Sequence, residues 1–351
     1  MTYLPKPALR HPELPVNALG LTRRDYEGSV STLCAGCGHD SISAAVVRAA
    51  FELDLPPHRL AKLSGIGCSS KTPTYFLGKA HGFNSVHGRM PSVATGASLA
   101  NRELIYLGVS GDGDTASIGL GQFAHAMRRG VDMLYIVENN GVYGLTKGQF
   151  SATSDRGAKN KRGVANRDEA IDLVGMAIQL GAGFVARSFS GDKAQLVPLI
   201  KAGLQHRGAA FIDCISPCVA FNNHVGSTKS FDYVREHNDA VNVLDFITPR
   251  AAITAEYAPG TVEIVNQHDG SELRLRKLAA DYDVHDRVAA MSWLQQRHAA
   301  GEIVTGLLYV DPEQLDLHGH LGTVAAPLNR LAEPELCPGE AALARLNASL
   351  R

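Results

Sequence analysis

The fold of this chain is decided by residues 108–149, which read GVSGDGDTASIGLGQFAHAMRRGVDMLYIVENNGVYGLTKGQ. A continuous apolar run, LIYLGVS (104–110), leads into the Gly-Asp-Gly-Asp sequence and has the profile of a strand buried on both faces. SIGLGQFAHAMRRG (117–130) follows with helical spacing, and the next strand, MLYIVENN (133–140), ends in two asparagines. Such a strand–helix–strand unit predicts two neighbouring parallel strands.

Polar groups stand at the carboxyl ends of both predicted strands. Asp112 supplies a carboxylate, Asn140 supplies an amide oxygen, and the main-chain carbonyl of Val142 can supply a third oxygen. Mg²⁺ prefers such oxygens, and ligands gather at this edge of a parallel sheet. Gly111 and Gly113 let backbone N–H groups approach a diphosphate, helped by the N-terminus of the following helix. Two ordinary turns are the alternative, but the ordered combination resembles the thiamine-diphosphate fingerprint.

The cysteines are the second chemical feature of the sequence. They are Cys34, Cys37, Cys68, Cys214, Cys218 and Cys337. The Cys34-x-x-Cys37 pair suits zinc, a redox dithiol or an iron–sulfur site, and a four-coordinate site needs two more thiolates. Cys68 and one of Cys214 or Cys218 can supply them, with structural zinc as the alternative. A cluster has a use beside thiamine diphosphate. The thiazolium takes up an electron pair when a 2-oxo acid loses carbon dioxide, and oxidation in one-electron steps needs a nearby cluster.

The chain resembles the β-subunit of the 2-oxo acid:ferredoxin oxidoreductase family across most of residues 30–330. The segments that carry the resemblance are CAGCGHD, SGIGCSSK, HGRMPSVATG, GDGDTASIGLGQ, ENNGVYGLTKGQ and SPCVAFN. The residues that match the family's [4Fe–4S] ligands are Cys34, Cys37, Cys68 and Cys218. Those that match its Mg²⁺ ligands are Asp112, Asn140 and the main chain of Val142. Cys214 has no place in the SPCxxFN pattern and is interpreted as a buried strand thiol, and Cys337 as a structural or surface residue.

Further residues of these segments match parts of the family's active site. Those expected at the cofactor are Gly111, Asp112, Gly113, Asp114, Asn140, Leu145 and His39. Those expected to act on the substrate are Lys71, Lys147, Arg89 and His87. Positive groups hold carboxylates by charge-assisted hydrogen bonds, and a solvated surface charge is the alternative for each. His39 either donates to a cluster sulfur or phosphate or is a helix-entry histidine. Leu145 either packs near the thiazolium or is a core leucine.

Strand and helix patterns alternate from Cys34 to about Cys218, and we predict one thiamine-diphosphate and iron–sulfur binding domain over residues 31–245. An N-terminal arm covers residues 1–30. Residues 246–351 form a C-terminal extension, with a β-hairpin turning at Asp269-Gly270 and then a helix and a strand. The predicted fold class is α/β: the thiamine-diphosphate-binding fold, with a mostly parallel sheet, helices on both faces and this extension.

Charge and hydropathy exclude several classes of partner. Lys and Arg number 34 against 35 Asp and Glu, so the chain lacks the basic face of a nucleic-acid binder. No apolar run reaches the roughly 18 residues of a membrane span, and the polar, Pro-rich N-terminus does not resemble a signal peptide. We therefore expect a cytoplasmic protein without disulfides. One basic segment, DRGAKNKRGVANRD (155–168), either steers an acidic ferredoxin or coenzyme A or is a solvated loop.

The resemblance implies one subunit of an enzyme. In the family, an α-subunit binds the aminopyrimidine ring and carries the activating glutamate, so this chain alone should be inactive, and an α2β2 assembly is expected. The implied reaction converts a 2-oxo acid, coenzyme A and oxidised ferredoxin into acyl-coenzyme A, carbon dioxide and reduced ferredoxin. The CSSK segment and the N-terminal arm look most like the 2-oxoglutarate members, and pyruvate or branched-chain 2-oxo acids remain open. The rivals are a non-redox thiamine decarboxylase with structural zinc and a zinc-stabilised binding subunit with a degenerate pocket.

Overall fold

Strands and helices alternate along most of the chain. A computed structural model describes residues 13–160, 162–241, 254–266, 272–337 and 339–350. The strands are β1 (Leu60–Ser64), β2 (His81–Asn84), β3 (Ile105–Gly111), β4 (Met133–Asn139), β5 (Val142–Tyr143), β6 (Gln149–Phe150), β7 (Phe184–Phe189), β8 (Ala209–Ile215), β9 (Asn238–Val241), β10 (Val262–Asn266), β11 (Glu272–Arg276) and β12 (Ile303–Val310). The helices are α1 (Gly38–Glu52), α2 (Met90–Ala100), α3 (Leu120–Arg128), α4 (Leu173–Gln179), α5 (Lys193–Gln205), α6 (Phe231–His237), α7 (Arg287–Ala299), α8 (Leu317–Leu321), α9 (Glu333–Leu336) and α10 (Gly339–Ser349). Within these described ranges, none of the helices has the length and apolar character needed to cross a membrane.

Ten of the described strands form one sheet in the order β10-β11-β9-β12-β7-β8-β4-β3-β1-β2. Every neighbouring pair from β7 to β2 is parallel. Parallel neighbours need crossover connections, and helices provide most of them here. The predicted fold class, a mostly parallel α/β sheet, is confirmed.

The central strand β4 shows why the site at its end is rigid. Tyr135 and Val137 belong to a buried cluster with side chains of α2, α3, α4 and α7 on one face of the sheet. Leu134 and Ile136 belong to a second cluster with side chains of α1 and α5 on the other face. All of β4 is therefore buried, and each such side chain contributes roughly 1.5–3 kcal/mol on burial. A one-residue slip would exchange the two faces, so packing fixes the register of the strand.

The C-terminal part of the chain continues the same sheet. β12 pairs antiparallel with β7, and β9 lies parallel to β12. β10 and β11 pair antiparallel, as a hairpin requires, but the predicted turn at Asp269-Gly270 lies outside the described residues. The predicted boundary at residue 245 also lies outside them. From the N-terminal arm, Tyr26 is fully buried and packs edge-on against Phe51.

The segment after β3 differs from the helix predicted over residues 117–130. A π-helix, Gly113–Ile118, begins directly after Asp112, and α3 starts only after Gly119. The Gly119 amide donates to the Asp114 carbonyl at 2.8 Å, which is the wide i→i+5 hydrogen bond of a π-turn. The helical N-terminus at the end of β3 therefore starts at Gly113. The prediction missed it because a π-turn has no 3.6-residue apolar period.

Candidate cofactor site

Two polar residues meet at the carboxyl ends of β3 and β4. Asp112 follows β3 and Asn140 follows β4, and the two strands are parallel neighbours in register at Gly111 and Glu138. The Asn140 backbone amide donates to Asp112 Oδ1 at 3.3 Å across a 28-residue separation in sequence. The sheet thus brings together the two halves of the predicted diphosphate–metal motif.

The Asp112 carboxylate is buried and oriented by two hydroxyls. Thr153 Oγ1 donates to Asp112 Oδ2 at 2.7 Å, and Ser151 Oγ donates to the same oxygen. Burial raises the pKa of Asp112, and these two hydrogen bonds lower it in part. Both hydroxyls bind Oδ2, whereas Oδ1 accepts the Asn140 amide and keeps its second lone pair for a cation. Ser151 and Thr153 were not predicted from the sequence, although they lie two and four residues beyond Gln149, where the motif ends.

Asn140 also has acceptor capacity to spare. Its Oδ1 accepts one hydrogen bond, from the Val142 backbone amide at 3.0 Å, and its main-chain carbonyl accepts from Asn222 Nδ2 at 2.8 Å. In the described part of the chain, no three His, Cys, Asp or Glu side chains group as ligands of one ion. The predicted Mg²⁺ set contains only one such residue, Asp112, and otherwise uses amide, carbonyl and phosphate oxygens. The residues present therefore fit an octahedral Mg²⁺ that shares its shell with a diphosphate.

Gly113 and Asp114, which flank the predicted metal ligand, stabilise the packing around the motif. A Cβ on Gly113 would lie 2.5 Å from Tyr143 Cε1, so only glycine lets the Tyr143 ring pack there. Asp114 is buried, and its carboxylate accepts from the amides of Ile66 at 3.1 Å and Gly88 at 2.6 Å. It thereby ties the loop before Cys68 and the loop of His87 and Arg89 to the motif. Direct contact of Asp114 with the cofactor stays a prediction.

Four of the cysteines lie on loops that converge beside this motif. The Cys37 amide donates to the Cys34 carbonyl at 3.0 Å, and the Gly38 amide donates to the Pro217 carbonyl at 3.3 Å. The Cys34–Cys37 turn is thus held against the segment that carries Cys218. A Cβ on Gly144 would lie 3.5 Å from Cys68 Sγ and 3.6 Å from Cys218 Sγ, so these two thiols face one point.

The depth of burial distinguishes Cys214, which is buried, from these four thiols, which are exposed or partly buried. Burial raises the pKa of Cys37 to about 12. The His39 backbone amide lowers this pKa in part, and the Glu138 carboxyl and then the Cys218 and Cys68 thiols raise it further. Burial also raises the pKa of Cys218, whereas backbone amides of the 220–222 turn lower it. Cys214 is fully buried within β8, and burial and then the neighbouring carboxyls of Glu138 and Asp213 raise its pKa. Mutually interacting thiols that receive backbone N–H groups fit a four-cysteine iron–sulfur cluster.

His39 lies in the first turn of α1, where its backbone amide donates to the Cys37 thiol and its ring is buried. Its Nδ1 forms a hydrogen bond with Ser216 Oγ at 2.6 Å and lies 3.7 Å from Glu138 Oε2. Burial lowers the pKa of His39 to about 4, so the ring is neutral. Burial raises the pKa of Glu138 well above its usual range, and the nearby Thr72 hydroxyl opposes this. The structure therefore favours the helix-entry interpretation of His39. It also adds Glu138, which the sequence shows only as a charge within an apolar strand.

The predicted substrate residues lie on loops at the same edge of the sheet. Lys71 is partly buried in the 3₁₀ turn after Cys68, and its charge lowers the pKa of the Cys68 thiol against the effects of burial and of Cys218. His87 and Arg89 are exposed. Lys147 is exposed between β5 and β6 with φ of 80°, a conformation that favours glycine. Leu145 is 53% exposed, so it is not a core leucine.

Comparison of the chain with known proteins identifies the family that it resembles. Residues 65–214 match the family described as "Thiamine pyrophosphate enzyme, C-terminal TPP binding domain". The 2-oxoacid:ferredoxin oxidoreductase subunit beta of Sulfolobus sp is 42% identical over 191 residues, which are 54% of this chain and 63% of that relative. The 2-oxoglutarate oxidoreductase subunit KorB of Mycobacterium tuberculosis is 38% identical over 212 residues, 60% of this chain and 55% of that relative. The chain thus spans less than two thirds of the length of these two relatives.

Two further relatives are matched over more of their length. The 2-oxoglutarate synthase subunit KorB of Methanocaldococcus jannaschii is 38% identical over 204 residues, which are 58% of this chain and 75% of that relative. A solved structure of 2-oxoglutarate:ferredoxin oxidoreductase from Magnetococcus marinus, with 2-oxoglutarate, coenzyme A and succinyl-CoA bound, is similar with a TM-score of 0.72 and 28% identity. That match covers 92% of this chain and 96% of the solved chain. The chain belongs to the family of 2-oxoacid:ferredoxin oxidoreductase β-subunits.

Proposed function

We propose that this chain is the thiamine-diphosphate- and cluster-binding subunit of a complex that oxidatively decarboxylates a 2-oxo acid. This proposal is based on the contacts made by the two ends of the short loop from Asn140 to Gly144. At one end, Asn140 contacts Asp112, and at the other end Gly144 lies against the thiols of Cys68 and Cys218. One loop therefore joins a diphosphate–metal site to a cluster of thiols. That arrangement suits a decarboxylation whose electrons leave one at a time.

The residues of this chain would hold both cofactors. Asp112, Asn140 and the main-chain carbonyl of Val142 would hold Mg²⁺ and through it the diphosphate. The ligands of a [4Fe–4S] cluster would be Cys34, Cys37, Cys68 and Cys218. When bound, thiamine diphosphate supplies the electron sink for decarboxylation, and the cluster carries single electrons. The hydroxyls of Ser151 and Thr153 favour the ionised form of Asp112, which is the form that binds a cation.

A second subunit completes the site in this proposal. Exposed apolar side chains stand on the loops of this edge, among them Val30, Val86, Leu145 and Val225. Such side chains suit a surface that a partner covers. The relatives are named as β-subunits, which supports an α-subunit that supplies the aminopyrimidine pocket, in an α2β2 complex. This chain alone would bind cofactors without turnover.

The substrate proposed is 2-oxoglutarate, converted with coenzyme A to succinyl-coenzyme A, with ferredoxin as electron acceptor. Relatives are named for 2-oxoglutarate, and the similar solved structure has 2-oxoglutarate bound. Lys71, a partly buried cation beside Cys68, is a candidate partner for one of the two carboxylates of this substrate. The exposed Lys147 is the candidate for the other.

Anaerobic purification of the complete complex tests this function. We expect bound thiamine diphosphate, Mg²⁺, and iron and acid-labile sulfide in the ratio of a [4Fe–4S] cluster. Reduction of ferredoxin should require coenzyme A and be faster with 2-oxoglutarate than with pyruvate or branched-chain 2-oxo acids. Zinc in place of iron and sulfide, with decarboxylation but no ferredoxin reduction, would indicate a non-redox thiamine enzyme. Zinc without any thiamine diphosphate would indicate a binding subunit.

The choice between Cys214 and Cys218 can be tested by paired substitutions. Cys218→Ser should lose or destabilise the cluster, because its sulfur faces Cys68 beside Gly144. Cys214→Ser should retain it, because Cys214 is fully buried within β8. Iron and sulfide content and the visible absorbance of each variant measure the outcome. Loss of the cluster in Cys214→Ser with retention in Cys218→Ser would reverse the assignment.

Asn222 joins the turn that carries Cys218 to the loop from Asn140 to Gly144. Its Nδ2 donates to the Asn140 carbonyl at 2.8 Å, and its backbone amide donates to the Cys218 carbonyl at 2.9 Å. Asn222→Asp keeps the size of the side chain but removes the donor. We expect thiamine diphosphate to bind roughly tenfold more weakly, about 1.4 kcal/mol, with a changed electron paramagnetic resonance spectrum of the reduced cluster.

The control for this variant is the adjacent exposed asparagine. Asn223 Oδ1 accepts from the Phe231 amide at 2.9 Å, an interaction that aspartate preserves. Asn223→Asp should therefore leave both the affinity and the spectrum unchanged. Identical behaviour of the two variants would mean that Asn222 does not position the two loops.

A further inference from the structure

The basic loop, defined as residues 156–167, carries a charge that the proposed chemistry leaves unused. Its sequence, RGAKNKRGVANR, holds five cations and no carboxylate, whereas the whole chain has 34 cations and 35 anions. Arg156 pairs with Glu169. Lys161 lies outside the described residues. The described cations of the loop that are exposed and form no ion pair with described residues are Lys159, Arg162 and Arg167.

Backbone hydrogen bonds among its described residues order the loop that carries these cations. The Gly157 amide donates to the Asn166 carbonyl, and the Asn166 amide donates to the Ala158 carbonyl, each at 2.8 Å. At the tip, Asn160 Oδ1 accepts from the Arg162 amide at 2.9 Å. A preformed loop loses less conformational entropy on meeting a partner than a free tail does.

The basic loop lies close to the turn that carries Cys218. Residues 158–160 line a cleft together with Phe221 and Asn222. The Phe221 amide donates to the Cys218 carbonyl at 3.2 Å. The basic loop therefore lines a cleft with the turn over residues 218–222, which carries the proposed cluster ligand Cys218. Cys34, another proposed ligand, is exposed.

We propose that the basic loop is the docking surface for the small acidic iron–sulfur protein that removes the electrons. This inference rests on the proposed function and names the surface that its electron acceptor uses. Decarboxylation of one 2-oxo acid releases a pair of electrons, and each docked acceptor takes one, so two acceptors dock per turnover. An exposed positive loop steers an acidic partner and raises its association rate by roughly 10- to 1,000-fold at low salt. Electron-transfer encounters are typically small and short-lived, which suits one loop.

The test compares two electron acceptors on the complete complex. In the triple variant Lys159→Gln, Arg162→Gln, Arg167→Gln, we expect KM for ferredoxin to rise by about tenfold or more at low ionic strength. The rate with methyl viologen, a small cationic acceptor that needs no docking surface, should stay within about twofold. The difference between variant and wild type should vanish near about 0.5 M salt, where screening is short-ranged. Iron and thiamine diphosphate contents should equal those of wild type.

A matched control removes three exposed arginines from the opposite edge of the sheet. Arg59, Arg128 and Arg207 each precede a parallel strand there, and their triple replacement by glutamine should leave KM for ferredoxin unchanged. Unchanged KM in the loop variant, or an equal rise in both triple variants, overturns the docking surface. A raised KM for coenzyme A with normal ferredoxin kinetics overturns it in favour of a coenzyme A site. A wild-type complex that reduces neither acceptor contradicts the proposed function itself.

Discussion

Replacing Asp112 with alanine should abolish thiamine diphosphate binding while the absorbance of the cluster is retained. Asp112 is the charged ligand assigned to Mg²⁺, and the hydroxyls of Ser151 and Thr153 orient its buried carboxylate. Mutation of a group that only orients a metal ligand typically lowers metal affinity about 10- to 100-fold. Loss of a direct anionic ligand should therefore weaken thiamine diphosphate and Mg²⁺ binding by more than about 100-fold, roughly 2.7 kcal/mol. Calorimetric titration of thiamine diphosphate and Mg²⁺ into the cofactor-free complex measures this loss.

Two further variants separate charge from packing at this position. Asp112→Asn keeps an oxygen acceptor for the two hydroxyls and removes only the charge, so its affinity should fall between wild type and Asp112→Ala. Asp132→Ala removes a half-buried carboxylate that accepts from the Gly208 amide at 3.1 Å, at the opposite edge of the sheet. It should leave thiamine diphosphate binding intact. Normal cofactor content in Asp112→Ala would show that the motif is wrongly assigned.

Lys71→Met should weaken the use of 2-oxoglutarate more than the use of a substrate with a neutral tail. A buried carboxylate without a partner costs several kcal/mol, and Lys71 is a partly buried cation three residues beyond Cys68. Loss of a charge-assisted pair in a closed site should lower kcat/KM for 2-oxoglutarate by about 2 kcal/mol or more, about thirtyfold. Steady-state kinetics with 2-oxoglutarate, pyruvate and 2-oxobutyrate measure the selectivity.

Lys147→Met is the comparison variant. If Lys147 holds the carboxylate that leaves, its replacement should penalise all 2-oxo acids alike. Methionine at φ of 80° carries the same backbone strain as lysine, so the loss would reflect the charge. If Lys71→Met lowers kcat/KM equally for dicarboxylate and neutral-tailed substrates, Lys71 does not bind the distal carboxylate.

The central strands of the sheet and the place of the motif could be predicted from the sequence alone. A strand covered on both faces must be apolar throughout, which makes β3 and β4 visible as continuous runs. Residues that follow two neighbouring parallel strands must share one edge, so the contact between Asp112 and Asn140 was predictable from the order of elements. The family resemblance of the segments around these residues was visible at the same level.

The groups that surround the motif could not be predicted from the sequence, because they come from distant parts of the chain. Asp114 bonds to the amides of Ile66 and Gly88, and His39 bonds to Ser216, a residue 177 positions away. These hydrogen bonds join loops whose paths depend on packing between distant elements, and no local period or propensity encodes them. The same holds for the C-terminal strands. Their alternation predicts a hairpin, but only the antiparallel pairing of β12 with β7 shows that they extend the central sheet.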